Sequence, residues 1–561
     1  MKSTFTLIFS LFAVISTVTA QSTFSEVYTI LQSNCATPYC HSGGNPSADL
    51  DFSGSQNDVY QELVNVTPQN STAAAIGDKL VDPGYPGKSF LIRKLAHDDW
   101  DDYYDRFPSE GSQMPQGGGN LASEDIEMIR QWIYHGANQN TTDVDPTVIQ
   151  DYYNGMGKKK LEKLPLPNSG EGFQVRLGSI FLAPLQEIEI DKKHKLELDD
   201  DVEVVKIELS FNEESHHFIL YSLGDPANVA EGIQLFDGSE FGNLNDEILA
   251  AWQDPNTIEL PPTTAYFWEK DIVLDLNYHL INYDPDSILA ADVYINVYTQ
   301  QKGIAQHEMF TQLMPVDAIS SFGDIGKSLV IPNDGNVYTF TDEIYSPFAG
   351  VFIDPIWHIW MLSSHTHGRG IDYDVYFRNP NGSKGEQLFE GYYNFDYSFN
   401  QGFYDWEHPP IRYFEPPFPV VDISVNGLIQ EASYINPPTN PDTLRWGFTT
   451  KDEMMLIFIQ YTKEALAVGI DDIDQNQFDL TIAPNPFSDK TGIRYHLETN
   501  SEVKLEVFNL LGEKIEEIVN EKQSPGYYSY DFVSSSASDG IYLIALSVDG
   551  NVTTQRVVSI K

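Results

Sequence analysis

The chain has 561 residues, with 82 Asp and Glu against 33 Lys and Arg, a formal net charge of −49. That negative excess excludes nucleic acid and an anionic membrane surface as partners, because phosphate layers repel it. Hydrophobic residues at 41% exclude bulk disorder, two cysteines exclude a disulfide scaffold, and the length allows roughly three or four domains.

Residues 1–20, MKSTFTLIFSLFAVISTVTA, read as a secretory signal peptide. Lys2 supplies the charged start, an apolar stretch follows, and Val18-x-Ala20 fits a small-residue cleavage site. The alternative, a transmembrane anchor, needs a longer apolar run. Gln21, not Cys, follows the cut, so a lipoprotein anchor is not indicated. No later segment has 18 consecutive apolar residues, so no membrane span is expected in the mature form.

Residues 22–32 and 123–135 have helical spacing, and Ser123 with Glu124 and Asp125 is the predicted N-terminal cap of the second helix. Both cysteines fall in Cys35-Ala-Thr-Pro-Tyr-Cys40-His41. Two thiols beside an imidazole suit a c-type haem, whose usual spacing is C-x-x-C-H; here it is C-x4-C-H. The alternative is a disulfide across a short loop. The segments ILQSNC…CHSGG, DPGYPGKSFLIRKL and QMPQGGGNLASEDIEMIRQWIYHGA resemble small cytochrome c domains. The resemblance implies one covalently bound c-type haem on Cys35, Cys40 and His41, with Met114 as second axial ligand and His97 as its competitor. It also implies that the helix carrying Trp132 and Ile133 packs on the haem. A His/Met pair suits electron transfer. The run Asp98-Asp99-Trp100-Asp101-Asp102 reads as a solvated acidic loop before a Ca²⁺ site.

Residues 141–165 form a polar connector in which Lys158-Lys159-Lys160 reads as a solvated patch, and residues 468–480 hold a second. Between them, runs such as VEVVKIELSF, DIVLDLNYHLINY and ADVYINVYT alternate with Pro, Gly and Asp turns, which predicts an all-β region. Three motifs in it carry candidate ligands. They are His216-His217, then His279, then His365-Thr366-His367 with Asp452-Glu453-Met454. Residues two apart on a strand share a face, so His365 and His367 can meet one ion. Adjacent His216 and His217 need a strand end or a bulge to converge. A thioether beside imidazoles selects copper over zinc. Taken singly, each motif is as readily a surface or core histidine, or a packed methionine.

As an ordered set, HH … H … HTH … DEM resembles the copper type II, ascorbate-dependent monooxygenases, over about residues 170–465. The resemblance implies two tandem antiparallel β-sandwiches, 166–310 and 311–467, each presenting one copper ion to a shared open cleft. His216, His217 and His279 would hold the electron-storing copper. His365, His367 and Met454 would be the catalytic set, holding the copper that meets O2 and substrate. Peptide hydroxylases of this family carry Arg two residues before the HTH motif and Asn and Tyr two and four residues after the Met. Here those positions are Ser363, Leu456 and Phe458, so the grip on a peptide carboxylate is missing.

Residues 481–561 show short alternating runs, Val503-Leu505-Val507 and Ile541-Leu543-Ala545, which predict a small Ig-like β-sandwich. Pro484-Asn485-Pro486-Phe487, Asn509-Leu510-Leu511-Gly512-Glu513-Lys514, Gly540-Ile541-Tyr542 and Lys561 resemble the C-terminal sorting domain of the type IX secretion system. That implies a bacterium of the Bacteroidota, export to the surface or beyond, and contact with the secretion machinery. An Ig-like binding module is the alternative.

The expected fold class is thus multidomain and mainly β. It comprises a small α-helical cytochrome c-like domain over 21–140, two jelly-roll-like copper domains and the C-terminal sandwich. The expected activity is copper-dependent hydroxylation of a C–H bond in a small organic or peptide-like substrate. O2 and an external electron donor are the partners, and the fused haem is a relay. The rival readings are a non-catalytic secreted copper-binding or electron-transfer protein on the same scaffold, and a glycan-binding adhesin.

Overall fold

The computed structural model describes residues 21–96, 108–117, 119–212, 215–236, 247–252, 256–319, 325–349, 354–392, 409–466, 478, 480–497, 499–509, 514–533, 540–549 and 551–560. The signal segment, His97, the acidic run at 98–102, Leu510 to Glu513 and Lys561 lie outside these residues. The chain divides into two compact units, Met1–Leu466 and Ala467–Lys561. It is mainly β, with several sheets.

The helical body at the start of the first unit is closed by its own core. Helix Thr23–Asn34 is capped by the Ser22 hydroxyl, which accepts from Ser25 N, and it buries Phe24, Val27 and Leu31 along one face. Helix Ser123–Tyr134 starts at Ser123, so Ala122 holds the cap position and no side chain caps it. Every residue from Ile126 to Tyr134 is buried. Its apolar face closes the body through Ile126, Ile129, Trp132 and Ile133. Its polar face is covered by the β region: the Arg130 guanidinium and the Gln131 amide both donate to the Ser179 carbonyl, at 2.9 and 2.6 Å. The connector after it is partly ordered into helix Pro146–Asp151, capped by Asp145.

Two sandwich cores follow. One wall of the first is a five-stranded sheet, in the order Ile233–Leu235, Glu187–Lys195, Val273–Ile281, Ser215–Ser222, Glu247–Trp252. One wall of the second is a four-stranded sheet containing Val337–Ile344, Leu428–Ile435, Gly370–Arg378 and Lys384–Tyr392. Strands of a single ten-stranded sheet oppose both walls. That sheet passes from the first lobe to the second where Thr264–Trp268 pairs in parallel with His307–Pro315. Each lobe keeps its own core, centred on Leu276, Tyr278 and Val293 in the first and on Trp357, Ile359 and Ile457 in the second.

The C-terminal unit packs a three-stranded sheet and a four-stranded sheet around one core. Val503, Leu505 and Val507 face inward as their alternation predicts. On strand Gly540–Val548 the inward face is Tyr542, Ile544 and Leu546 instead of Ile541, Leu543 and Ala545. Apolar residues occupy both faces of that strand, so alternation alone does not set its sidedness.

Candidate functional site

Strand pairing builds the first half of the site. Strand Ser215–Ser222 lies antiparallel to Val273–Ile281, and its register shifts between Ser215 and His217. This irregularity is what two adjacent histidines require to turn toward one point. It sets His217 directly opposite His279 and brings the rings of His216 and His279 to 4.9 Å. The second half comes from the end of strand Ile356–His365. The strand stops at His365, so His367 reaches the same point from the following turn and not from a shared strand face. The Glu453 carboxylate holds that turn, accepting from the backbone N–H of His367 at 3.0 Å, Arg369 at 2.7 Å and Met454 at 3.3 Å.

The five histidines form one buried cluster. His216 is its centre: its ring lies 5.2 Å from His217, 5.3 Å from His365 and 5.2 Å from His367. Candidate ligand nitrogens of His216, His217 and His279 lie within 4.8 Å of one another, and so do those of His216, His365 and His367. Nitrogens around one ion at about 2 Å are roughly 3.5 Å apart, so small ring movements complete either set. Two separate sites across an open cleft were expected; here His216 belongs to both triads. The motifs specify which strand ends carry imidazoles, while the separation of the triads is set by how the two lobes pack.

The outer contacts select which nitrogen faces the cluster. His279 Nε2 donates to Glu187 at 3.0 Å, leaving Nδ1 inward, and His367 Nδ1 donates to the Asp452 carbonyl at 3.1 Å, leaving Nε2 inward. His279 Nδ1 and His367 Nε2 are buried with no hydrogen-bond partner among the described residues. His217 Nε2 approaches Glu189 at 3.4 Å, and Glu189 also accepts from Asn277. Buried imidazole nitrogens left without partners, each oriented by an acceptor behind the ring, are the arrangement a metal ion satisfies. Burial lowers the His216, His217 and His365 pKa values and takes His367 down to about 3, so these rings are neutral and able to ligate near pH 7. A cluster of imidazoles suits a borderline-soft transition ion, and copper fits this donor set.

Met454 is buried and packs with Leu313 and Leu456. Its carbonyl accepts from the Tyr434 hydroxyl at 2.7 Å. It lines a cavity of about 50 Å³ beside the cluster, together with His217, His365, Ser363, Leu456 and Phe458. Ile411, Tyr413 and Phe448 make the remaining wall largely apolar.

Sequence reading missed Glu187 and Glu189. Their signal is the alternation Glu187-x-Glu189-x-Asp191, three carboxylates on one face of a single strand. Glu187 also bridges the lobes, because it accepts from the Thr450 backbone N–H and hydroxyl, both at 3.0 Å. Burial alone would raise its pKa; the donors His279 and Thr450 reverse this and hold it at about 2.

The second constellation lies in the helical body. Cys35 ends helix Thr23–Asn34, and Cys40 N donates to the Thr37 carbonyl to close a turn. The two residues beyond the usual spacing are accommodated by this turn, at whose tip Tyr39 is left-handed (φ 74°) and 97% exposed. Both thiols are unbonded. Burial pushes the Cys35 thiol up to about 11. His41 Nδ1 lies 3.3 Å from the Leu50 carbonyl, an acceptor that leaves Nε2 as the ligating atom. Cys35, Cys40, His41 and Met114 line one cavity of about 620 Å³ with Leu80, Phe90 and Leu95. Its size, apolar wall and paired thiols fit a haem. Trp132 and Ile133 do not line it; they are buried in the core behind it, among Phe24, Val27 and Leu31.

The model of a secretion system C-terminal sorting domain matches residues 481–561. No curated protein matches the chain. Among solved structures, the chain is similar to PorZ, an essential bacterial surface component of the type-IX secretion system of Porphyromonas gingivalis. That match has 11% identity and a TM-score of 0.12, and it covers 18% of this chain and 14% of PorZ. The major capsid protein P2 of bacteriophage PM2 matches at 10% identity and TM-score 0.24, over 53% of this chain and 100% of P2. An apo β-glucuronidase from Ruminococcus gnavus matches at 12% identity and TM-score 0.11, over 40% and 36%. The sorting domain directs the chain through type IX secretion to the cell surface or the medium. Among the described residues no helix is long and apolar enough to cross a membrane.

Proposed function

We propose that this exported protein is a copper-dependent monooxygenase that hydroxylates a C–H bond of a small organic substrate with O2. The observation that carries the reading is the buried cluster of His216, His217, His279, His365 and His367, whose outer acceptors aim ring nitrogens at common points. When bound, copper supplies one-electron chemistry toward O2 that no side chain can provide. The chain's own residues hold the remaining tasks. Glu187, Glu189 and the Asp452 carbonyl fix ring tautomers, while Glu453 fixes the turn that carries His367. Met454 adds a thioether on the cavity wall.

The wall also bears on the choice of substrate. Ser363, Leu456 and Phe458 offer no cation to a carboxylate, so an apolar substrate is favoured over a glycine-extended peptide. A space of about 50 Å³ is narrow, which favours a small substrate. The helical body, with its fitted haem cavity, is read as the electron supply, since it is docked on the lobe that carries His216, His217 and His279.

The small cavity favours one second reading, a non-catalytic copper or electron carrier. Copper stoichiometry and reductant-driven O2 uptake, measured on wild type and Met454→Ala, separate the two. Substrate-stimulated uptake that is lost in the variant supports the enzyme. Copper binding without uptake supports the carrier, and no copper binding overturns both.

A further inference from the structure

A second cavity, of about 130 Å³, lies between the helical body and the first β lobe. Five cationic side chains line it, Lys88, Arg130, Lys160, Arg176 and Lys192, against one carboxylate, Glu127. In a chain where acids outnumber bases 82 to 33, this concentration runs against the overall charge. Some of these cations are compensated. Arg130 pairs with Glu127, Arg176 with Asp292 at 3.0 Å, and Lys88 with Glu197 at 3.0 Å.

Lys192 is different. It is 2% exposed. Its ammonium donates to the Lys193 carbonyl and lies 4.4 Å from the centre of the Tyr85 ring. Among the described residues it has no ion pair. The nearby acids are engaged elsewhere: Glu231 with Lys193 at 3.1 Å and Lys195 at 2.7 Å, and Asp275 with the Lys192 backbone N–H. Burial lowers the Lys192 pKa to about 8, which leaves it charged at neutral pH. Glu231 and Asp275 act on Lys192 only at a distance and are shared with other donors, so its buried charge is incompletely compensated.

We propose that this cavity binds a tetrahedral oxyanion of the phosphate or sulfate class, with Lys192 as its buried counter-charge. A cavity of about 130 Å³ has room for such an anion. Arginine forks and lysine ammonium groups together are the donors that oxyanions use. They come from both sides of the junction: Lys88 and Arg130 from the helical body, Lys160 from the connector, and Arg176 and Lys192 from the lobe. An anion held here therefore ties the body to the lobe. Lys160, read from sequence as part of a solvated patch, is a wall of the site. The site needs neither copper nor haem.

The test is titration of the mature full chain with inorganic phosphate, against sodium chloride of matched ionic strength. Calorimetry should show one phosphate per chain, and phosphate should raise Tm beyond the chloride control. Lys192→Met should lose the phosphate-specific rise and melt higher than wild type in chloride, because an unpaired buried charge is gone. Lys160→Gln, at the half-buried edge, should keep the fold and weaken phosphate affinity roughly 10-fold. Parallel titration with sulfate ranks the two anions, and saturable binding of either supports the site. An equal phosphate-dependent rise in wild type and Lys192→Met is a general salt effect on the surface and overturns the proposal. So does unchanged affinity in Lys160→Gln together with Lys192→Met, or the absence of saturable binding.

Discussion

Glu453 carries more of the site than its sequence position suggests. Its carboxylate receives three backbone donors, from His367, Arg369 and Met454, while burial pushes its pKa up to about 8. One side chain thus sets the turn after His365 and the start of the Met454 segment together. Glu453→Ala leaves the two buried N–H groups of His367 and Met454 without an acceptor, at about 1–3 kcal/mol each, and frees the more exposed one of Arg369. We expect a loss of at least about 2 kcal/mol in the metal-free protein, read by denaturant unfolding, and copper affinity reduced roughly 10- to 100-fold in a competitive titration. Copper affinity equal to wild type would remove Glu453 from the positioning role.

At the scale of elements, the site is made where strands stop being regular. The register shift at Ser215–His217 turns adjacent histidines inward, and strand Ile356–His365 ends where the second pair begins. Between these strand ends, Glu187 ties His279 of the first lobe to Thr450 of the second. Phe236 and Phe448, with rings 5.3 Å apart, make an apolar contact across the same seam. Thr450→Val removes one of the two donors to Glu187 and should cost about 1 kcal/mol. Hydrogen exchange is expected to quicken in residues 447–454 and leave the sheet core around Ile457 protected. Unchanged exchange across 447–454 would mean that the seam is held by packing alone.

At the scale of the molecule, the helical body and the first lobe meet through backbone contact. An added Cβ at Gly232 would lie 2.5 Å from the Gly136 backbone nitrogen, and one at Gly84 would lie 2.6 Å from Gly232 N. Gly232 is also left-handed (φ 92°). Gly232→Ala should therefore cost about 1–3 kcal/mol in backbone strain alone and loosen the junction. A lowered Tm and faster proteolysis in the 141–165 connector are the expected signs.

Acid should loosen the same region. Burial lowers the His135 and His194 pKa values to about 4, from 6.5 in the unfolded chain. Between these values the unfolded state binds more protons. Their contribution to stability is complete above pH 6.5 and is lost as pH falls toward 4, at most about 3 kcal/mol for each group. The slope of stability against pH should flatten over that window in the His135→Gln, His194→Gln double variant.

Residue type and spacing were enough to locate every histidine of the cluster, the Cys35-to-His41 loop, the predominance of strands and the sorting domain. Each of these is a local pattern: a motif, an alternation or a turn signature. Other features were out of reach of any local pattern. The Ser123 cap was placed one residue late, and the Trp132 wall was misplaced because its side chain belongs to the closed core of the helical body. The inward face of Gly540–Val548 was ambiguous because both of its faces are apolar. By itself, the sequence determined where the chain is sent and which imidazoles were available to meet. Only the tertiary structure decided that His216 stands in both triads and that Glu187 spans the lobes. The packing of one lobe against the other fixes those distances, and no run of residues encodes it.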